Sequence, residues 1–205
     1  MLRPLETREE REKKIRKRNL ILSILIAITI LAGTIGWVMM GKETENLQKY
    51  KEFKFRKVEN QWQTTVKVYN NNEFLIRTSF LPQEVENIPS TLEGLYLEKI
   101  YDKIIYFVVF SQTELQAAQE LAINLYPFSK RIQLACSKEK ENETFCADKP
   151  IKNCENGTES LIIILEEKNE TKIKYEKNCL EIYGKGSEIL KASDKVIFVI
   201  FGIIK

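Results

Sequence analysis

Four cysteines, Cys136, Cys146, Cys154 and Cys179, are the side chains best placed to do chemistry in this chain. Their spacings are too wide for a Cys-x-x-Cys redox pair and do not resemble paired zinc knuckles. Oxidation to two disulfides is the chemistry they suggest, and such bonds persist outside the reducing cytoplasm. Four cysteines admit three pairings. Stapling each loop to a neighbouring strand favours Cys136–Cys146 with Cys154–Cys179. Three Asn-x-Ser/Thr sequons fall in the same region, at Asn142, Asn156 and Asn169, each in polar sequence where a glycan is tolerated.

Most other chemistry is excluded. The chain has no histidine, which removes Ser-His-Asp and Cys-His catalysis and any imidazole metal site. There is no Gly-rich phosphate loop, no G-x-S-x-G elbow and no acidic cluster with calcium-loop spacing. Ser187 and Lys191 stand four apart on a predicted helix, the spacing of a Ser/Lys dyad, yet Ser187 reads more simply as that helix's N-cap. Glu166 and Glu167 close a predicted strand beside a turn, and Asp194 marks the polar face of the last helix. No constellation supports a named reaction. No catalytic, cofactor-binding or metal residue is assigned, and no cofactor is expected.

Cysteines that oxidise outside the cytoplasm need a means of being held there. Residues 19–40 carry no charged side chain, and a helix needs roughly 20 apolar residues to cross a bilayer. The run ends in Trp37, Met39 and Met40 without a small-x-small cleavage site, so it reads as an uncleaved anchor rather than a signal peptide. Residues 1–18 hold eight basic side chains against four glutamates. Positive charge beside a span stays in the cytoplasm, so the N-terminus is expected inside and the rest outside. The predicted organisation is a basic tail (1–18), a transmembrane anchor (19–40), a charged connector that is part stalk and part first strand (41–60) and an extracytoplasmic domain (61–205).

Without the tail, 24 basic and 25 acidic residues remain. This near-neutral balance is a poor basis for nucleic-acid binding. In the outer domain, Trp62, Thr64, Val66 and Val68 alternate with polar neighbours, as do Phe74, Ile76, Thr78 and Phe80 after an Asn-rich turn, which predicts a β-hairpin. Residues 104–110 are apolar throughout and read as a strand buried on both faces. Ser111 and Glu114 have capping-box spacing before a helix that Pro127 ends, and a further strand runs to Cys136. Its strands should be parallel. Later strands are expected at 161–165 and 173–182. A last helix, 187–201, is apolar nearly all round, which fits a core helix covered on both sides or, alternatively, one whose second face docks on a partner subunit or the membrane surface. The fold class is α+β: a mixed sheet with a βαβ unit and a C-terminal helix, outside the membrane, plus the N-terminal transmembrane helix.

From Ile88-Pro89 onward the chain resembles a group of uncharacterised, membrane-anchored archaeal proteins. The matching features are the buried strand with its Ala-containing helix, Ala135-Cys136, the stretch 146–154 (CADKPIKNC), Asn178-Cys179-Leu180, and a closing helix with KASDK that ends in Gly202-Ile203-Ile204. The resemblance implies an extracytoplasmic α/β fold and the disulfides, and no activity. With the charge balance and the apolar last helix, it leads to the expectation of a non-catalytic domain that binds or scaffolds other components of a cell envelope. Val196, Ile197, Ile200, Phe201 and Ile204 are its docking candidates for a protein partner or a second copy. The alternative is an ectodomain, enzyme or sensor, that recognises a small ligand or peptide in an α/β cleft near the ends of the 104–110 and 131–136 strands.

Overall fold

A computed structural model describes residues 16–24, 26, 29, 47–69, 71–138, 144–156 and 159–204. The chain divides into two compact units, Met1–Glu45 and Asn46–Lys205. In the first unit the described residues are helical, and Leu20, Ile21, Leu22, Ile24 and Ile26 are all more than half exposed. Among the described residues no helix is long and apolar enough to cross a membrane. Most of 19–40 lies outside them, as does Asn142.

The second unit opens with an antiparallel meander of four strands: β1 (Leu47–Tyr50), β2 (Phe53–Val58), β3 (Gln61–Val68) and β4 (Asn72–Thr78), in that spatial order. β3 and β4 are the expected hairpin. β1 and β2 occupy residues that the sequence reading gave to a connector. Alternation sends Phe55, Val66 and Ile76 inward to the core and leaves their neighbours outward. Asn124 seals the β4 edge, accepting from Arg77 N at 3.0 Å and donating to Arg77 O at 2.8 Å.

The rest of the unit builds around a mixed six-stranded sheet. Its elements are a one-turn helix α1 (Pro82–Val85), β5 (Ser90–Thr91), β6 (Ile104–Val108), α2 (Gln112–Leu125), β7 (Arg131–Ala135), β8 (Ser160–Glu167), β9 (Lys172–Glu176), β10 (Cys179–Gly184) and α3 (Ser187–Ile200). The strand order is β5-β9-β10-β8-β6-β7. β10, β8, β6 and β7 are parallel neighbours, and β9 runs antiparallel to β10. The expected single strand 173–182 is therefore a hairpin, turned at Lys177 in the left-handed region (φ 57°). Gly184 joins β10 to α3 because a Cβ there would meet Ile189 N at 2.6 Å. Gly186, rather than Ser187, is the N-cap residue of α3.

α2 and α3 cover one face of this sheet, and the four-stranded sheet covers α3 from the other side. Phe198 meets Phe55 edge-on at 5.9 Å, and Phe201 stacks on Phe74 at 5.8 Å. This arrangement corrects the docking expectation. Val196 and Ile197 are fully buried, Ile200 and Ile204 nearly so, and Phe201 is half-buried against Phe74 and Phe128. The helix is apolar all round because two sheets of its own chain enclose it. Of the two readings of this helix, the burial fits the core helix covered on both sides.

Candidate functional site

Among the described residues no α-helix packs on the reverse face of the six-stranded sheet. Tyr106, Val108, Ala135, Ile162 and Cys179 point that way and form a small second core. The segment between β7 and β8 lies over it, held by two disulfides, Cys136–Cys146 and Cys154–Cys179, and by a bridge between Cys136 and Ile151. Toward the carboxyl ends of the strands the described residues line a cleft of about 550 Å³.

Topology explains its place. The chain leaves β6 through α2 toward β7, and leaves β8 in the opposite direction toward β9 and β10. The carboxyl ends of β6 and β8 diverge, and crevices at such divergences are where open α/β sheets bind ligands. Phe110 and Ile164 give the cleft an apolar floor, with the Tyr183 ring beside them. On the β8–β10 side stand Glu166, Glu181 and Glu167; on the β7 side stand Ser137, Lys138, Lys152 and Asn153. Period-2 alternation puts Ile164 and Glu166, and likewise Glu181 and Tyr183, on this one face.

Each wall is internally organised. Tyr183 OH donates to Glu181 Oε1 at 2.8 Å. Burial, reinforced by that bond, raises the Tyr183 pKa well above the ordinary phenol value. Lys168 bridges Glu166 at 2.8 Å and lies 4.0 Å over the Tyr183 ring. Across the cleft, Lys152 sits 4.5 Å over the Tyr106 ring. Carboxylates thus line one wall of the cleft and lysines the other, with an apolar floor between them.

Glu114 fixes the junction. It is 3% exposed, and its carboxylate accepts from Phe110 N and from Ser111 N (2.9 Å) at the end of β6, and from Glu167 N (2.9 Å) at the end of β8. Ser111 Oγ accepts from Glu114 N at 3.2 Å in return, which completes the predicted capping box. The box does more than start a helix: its glutamate ties together the two strand ends that open the cleft.

A second acidic cluster lies inside the core, where Asp194 on α3 is fully buried beside Glu120 on α2. Asp194 Oδ2 accepts from Ser79 N (3.0 Å) and Phe80 N (2.8 Å), while Ser79 Oγ donates to Glu120 Oε2 (3.0 Å). Asp194 Oδ1 and Glu120 Oε1 have no other hydrogen-bond partner, and each is satisfied if one proton is shared between them. Burial first, then the neighbouring Glu120 charge, raises the Asp194 pKa well above the usual carboxyl range. Burial raises Glu120 as well. The expected polar face at Asp194 is thus a buried carboxyl pair bridging two helices and the turn after β4.

The remaining candidates stay apart. Lys191 Nζ donates to Glu188 Oε1 at 2.7 Å and lies over the Phe80 ring at 5.4 Å, while Ser187 is exposed at the helix start. Asn169 is exposed in the turn between β8 and β9, and Asn156 ends a 3-10 turn next to Cys154. Among the described residues no group of three or more His, Cys, Asp and Glu side chains is placed to hold a metal ion. Of the cleft residues, Glu181 and Tyr183 escaped the sequence reading although their alternation marks them. Nothing in the sequence marks Glu120. Comparison with protein-family models, with curated proteins and with solved structures finds no match.

Proposed function

We propose that residues 46–205 form the extracytoplasmic recognition domain of a single-pass membrane protein, and that the cleft binds a small zwitterion such as an amino acid or short peptide. The disulfides support an oxidising compartment, and the basic tail beside an apolar run supports an anchor with its N-terminus inside. The observation that carries the ligand reading is the opposition of Glu166 and Glu181 to Lys138 and Lys152 across an apolar floor. An ammonium group suits the first wall and a carboxylate the second. The volume falls within the range of small-molecule sites. The scaffold reading relied on a docking face of α3, and that face is enclosed, so the cleft takes precedence.

Calorimetric titration of the full-length protein with free amino acids and dipeptides tests this, each compound run beside its N-acetyl and C-amide derivatives. Binding should require both charges. Glu181→Gln and Lys152→Gln should each weaken it about tenfold, equivalent to roughly 1.4 kcal/mol. Equal binding of the capped derivatives, or no binding across the panel, would sink the proposal.

A further inference from the structure

The near-neutral charge of the outer domain hides a division along the chain. Residues 47–78 hold seven basic and three acidic side chains; residues 79–205 hold sixteen and twenty. Strand alternation concentrates the first group. In the four-stranded sheet the inward positions belong to the core. The outward face carries Lys49, Lys54, Arg56, Lys67 and Arg77 against a single acid, Glu73, and all six are exposed.

The register sharpens the pattern. Lys49 stands directly opposite Lys54, and Arg56 is separated from Arg77 only by Gln63. Lys67 faces Glu73 across β3 and β4. Like charges directly opposite each other destabilise a sheet, and an anionic surface laid over them removes that penalty. Leu47, Val58 and Leu75, 53%, 39% and 42% exposed, add aliphatic contacts on the same face. Long cationic side chains among scattered aliphatics on a flat surface fit the headgroup layer of a bilayer.

Chain length brings such a surface close. With 19–40 as the anchor, only residues 41–46 separate it from Leu47 at the start of β1. Fully extended, the chain from Met40 to Leu47 spans about 25 Å. The first strand reached after so few residues, β1, carries part of the basic face. The cleft lies on the reverse of the other sheet, on the opposite side of the layered domain.

We infer that the outward face of β1–β4 lies on the outer leaflet and binds anionic lipid headgroups through Lys49, Lys54, Arg56 and Arg77. This contact presents the cleft away from the membrane. It rests on the anchor reading and is independent of what the cleft binds.

The test is lysine acetylation of the full-length protein in lipid nanodiscs, followed residue by residue with mass spectrometry. Phosphatidylcholine discs are compared with discs containing phosphatidylglycerol, and Lys174 and Lys177, exposed on the β9 hairpin, serve as internal references. Lys49 and Lys54 should react at least about threefold more slowly in the anionic discs. The difference should vanish near 1 M salt, where the screening length falls to about 3 Å. The double variant Lys54→Glu, Arg56→Glu, altered only at exposed positions, should lose the protection of Lys49. Equal rates in both discs, with the protein inserted, would overturn the inference. So would stronger protection by a short DNA duplex than by the anionic lipid, which would assign the face to a nucleic-acid partner. Failure of the protein to co-purify with discs would remove the anchor, and this contact with it, while leaving the cleft proposal standing.

Discussion

Two carboxyl groups buried side by side favour holding a proton between them, so Asp194 with Glu120 should make the stability of the domain depend on pH. In the unfolded chain both titrate near the ordinary carboxyl value of about 4. In the folded chain both are raised, Asp194 the more strongly because its burial is complete. Between the unfolded and folded values the native state therefore binds more protons. The pair's contribution is fully present below the unfolded pKa and is lost as pH rises through the folded one. Other charges nearby do not reverse this: Lys191 is engaged with Glu188, and Lys195 donates to the carbonyl oxygens of Glu86 and Ile88. Denaturant unfolding at pH 5 and pH 8 should show Asp194→Asn flattening the pH dependence, because its amide donates to Glu120 Oε1 without a titrating proton. Asp194→Ala leaves Glu120 Oε1 and the backbone amides of Ser79 and Phe80 without partners and should cost about 3–5 kcal/mol. An Asp194→Asn protein as unstable at pH 8 as Asp194→Ala would exclude the shared proton.

Among the elements, the β6–α2 junction links local sequence most directly to the cleft. Ser111 and Glu114 are legible in the sequence because a capping box is a local device, three residues apart. The third bond of Glu114, from Glu167 N, crosses from β8 and has no local signature. Replacing Glu114 with Ala should cost roughly 1–3 kcal/mol through unpaired backbone donors. It should also weaken ligand binding in the cleft. If calorimetry finds the stability loss with affinity unchanged, Glu114 holds the fold and not the cleft. The same contrast between local and distant signals explains which elements were visible beforehand. The β3–β4 hairpin and the β6–α2–β7 unit show clean periodicity and local turn or cap residues. β1 and β2 are short, and lysine or arginine alternates with Phe53 and Phe55, so their pattern resembles a charged linker. β9 and β10 merged into one strand because their turn uses Lys177 and Asn178, with no Gly or Pro to punctuate it. The cleft itself depends on strand order, which periodicity does not specify.

For the molecule as a whole, the decisive feature is that one helix serves two sheets. α3 packs on β10 and β8 from one side and under β2–β4 from the other, so the four-stranded sheet is part of the core rather than an appendage. Phe55 is the keystone of that contact: it is fully buried, comes from a segment that reads as a stalk, and meets Phe198 edge-on. If 41–60 were only a connector, Phe55→Ala would change stability by a few tenths of a kcal/mol, as exposed substitutions do. In a three-layer domain it opens a cavity against α3 and should cost about 3–5 kcal/mol. Hydrogen exchange adds the spatial test. Loss of Phe55 should lower protection not only in β2 and β3 but also in α3 and β10, because the layers share a single helix. Destabilisation confined to the meander would mean that the two sheets unfold independently. The membrane-facing role given to the outer surface of β1–β4 depends on this coupling too. If that sheet rests on lipid as inferred, its packing against the central helix would also limit how the cleft can turn, whereas a loosely attached sheet would not.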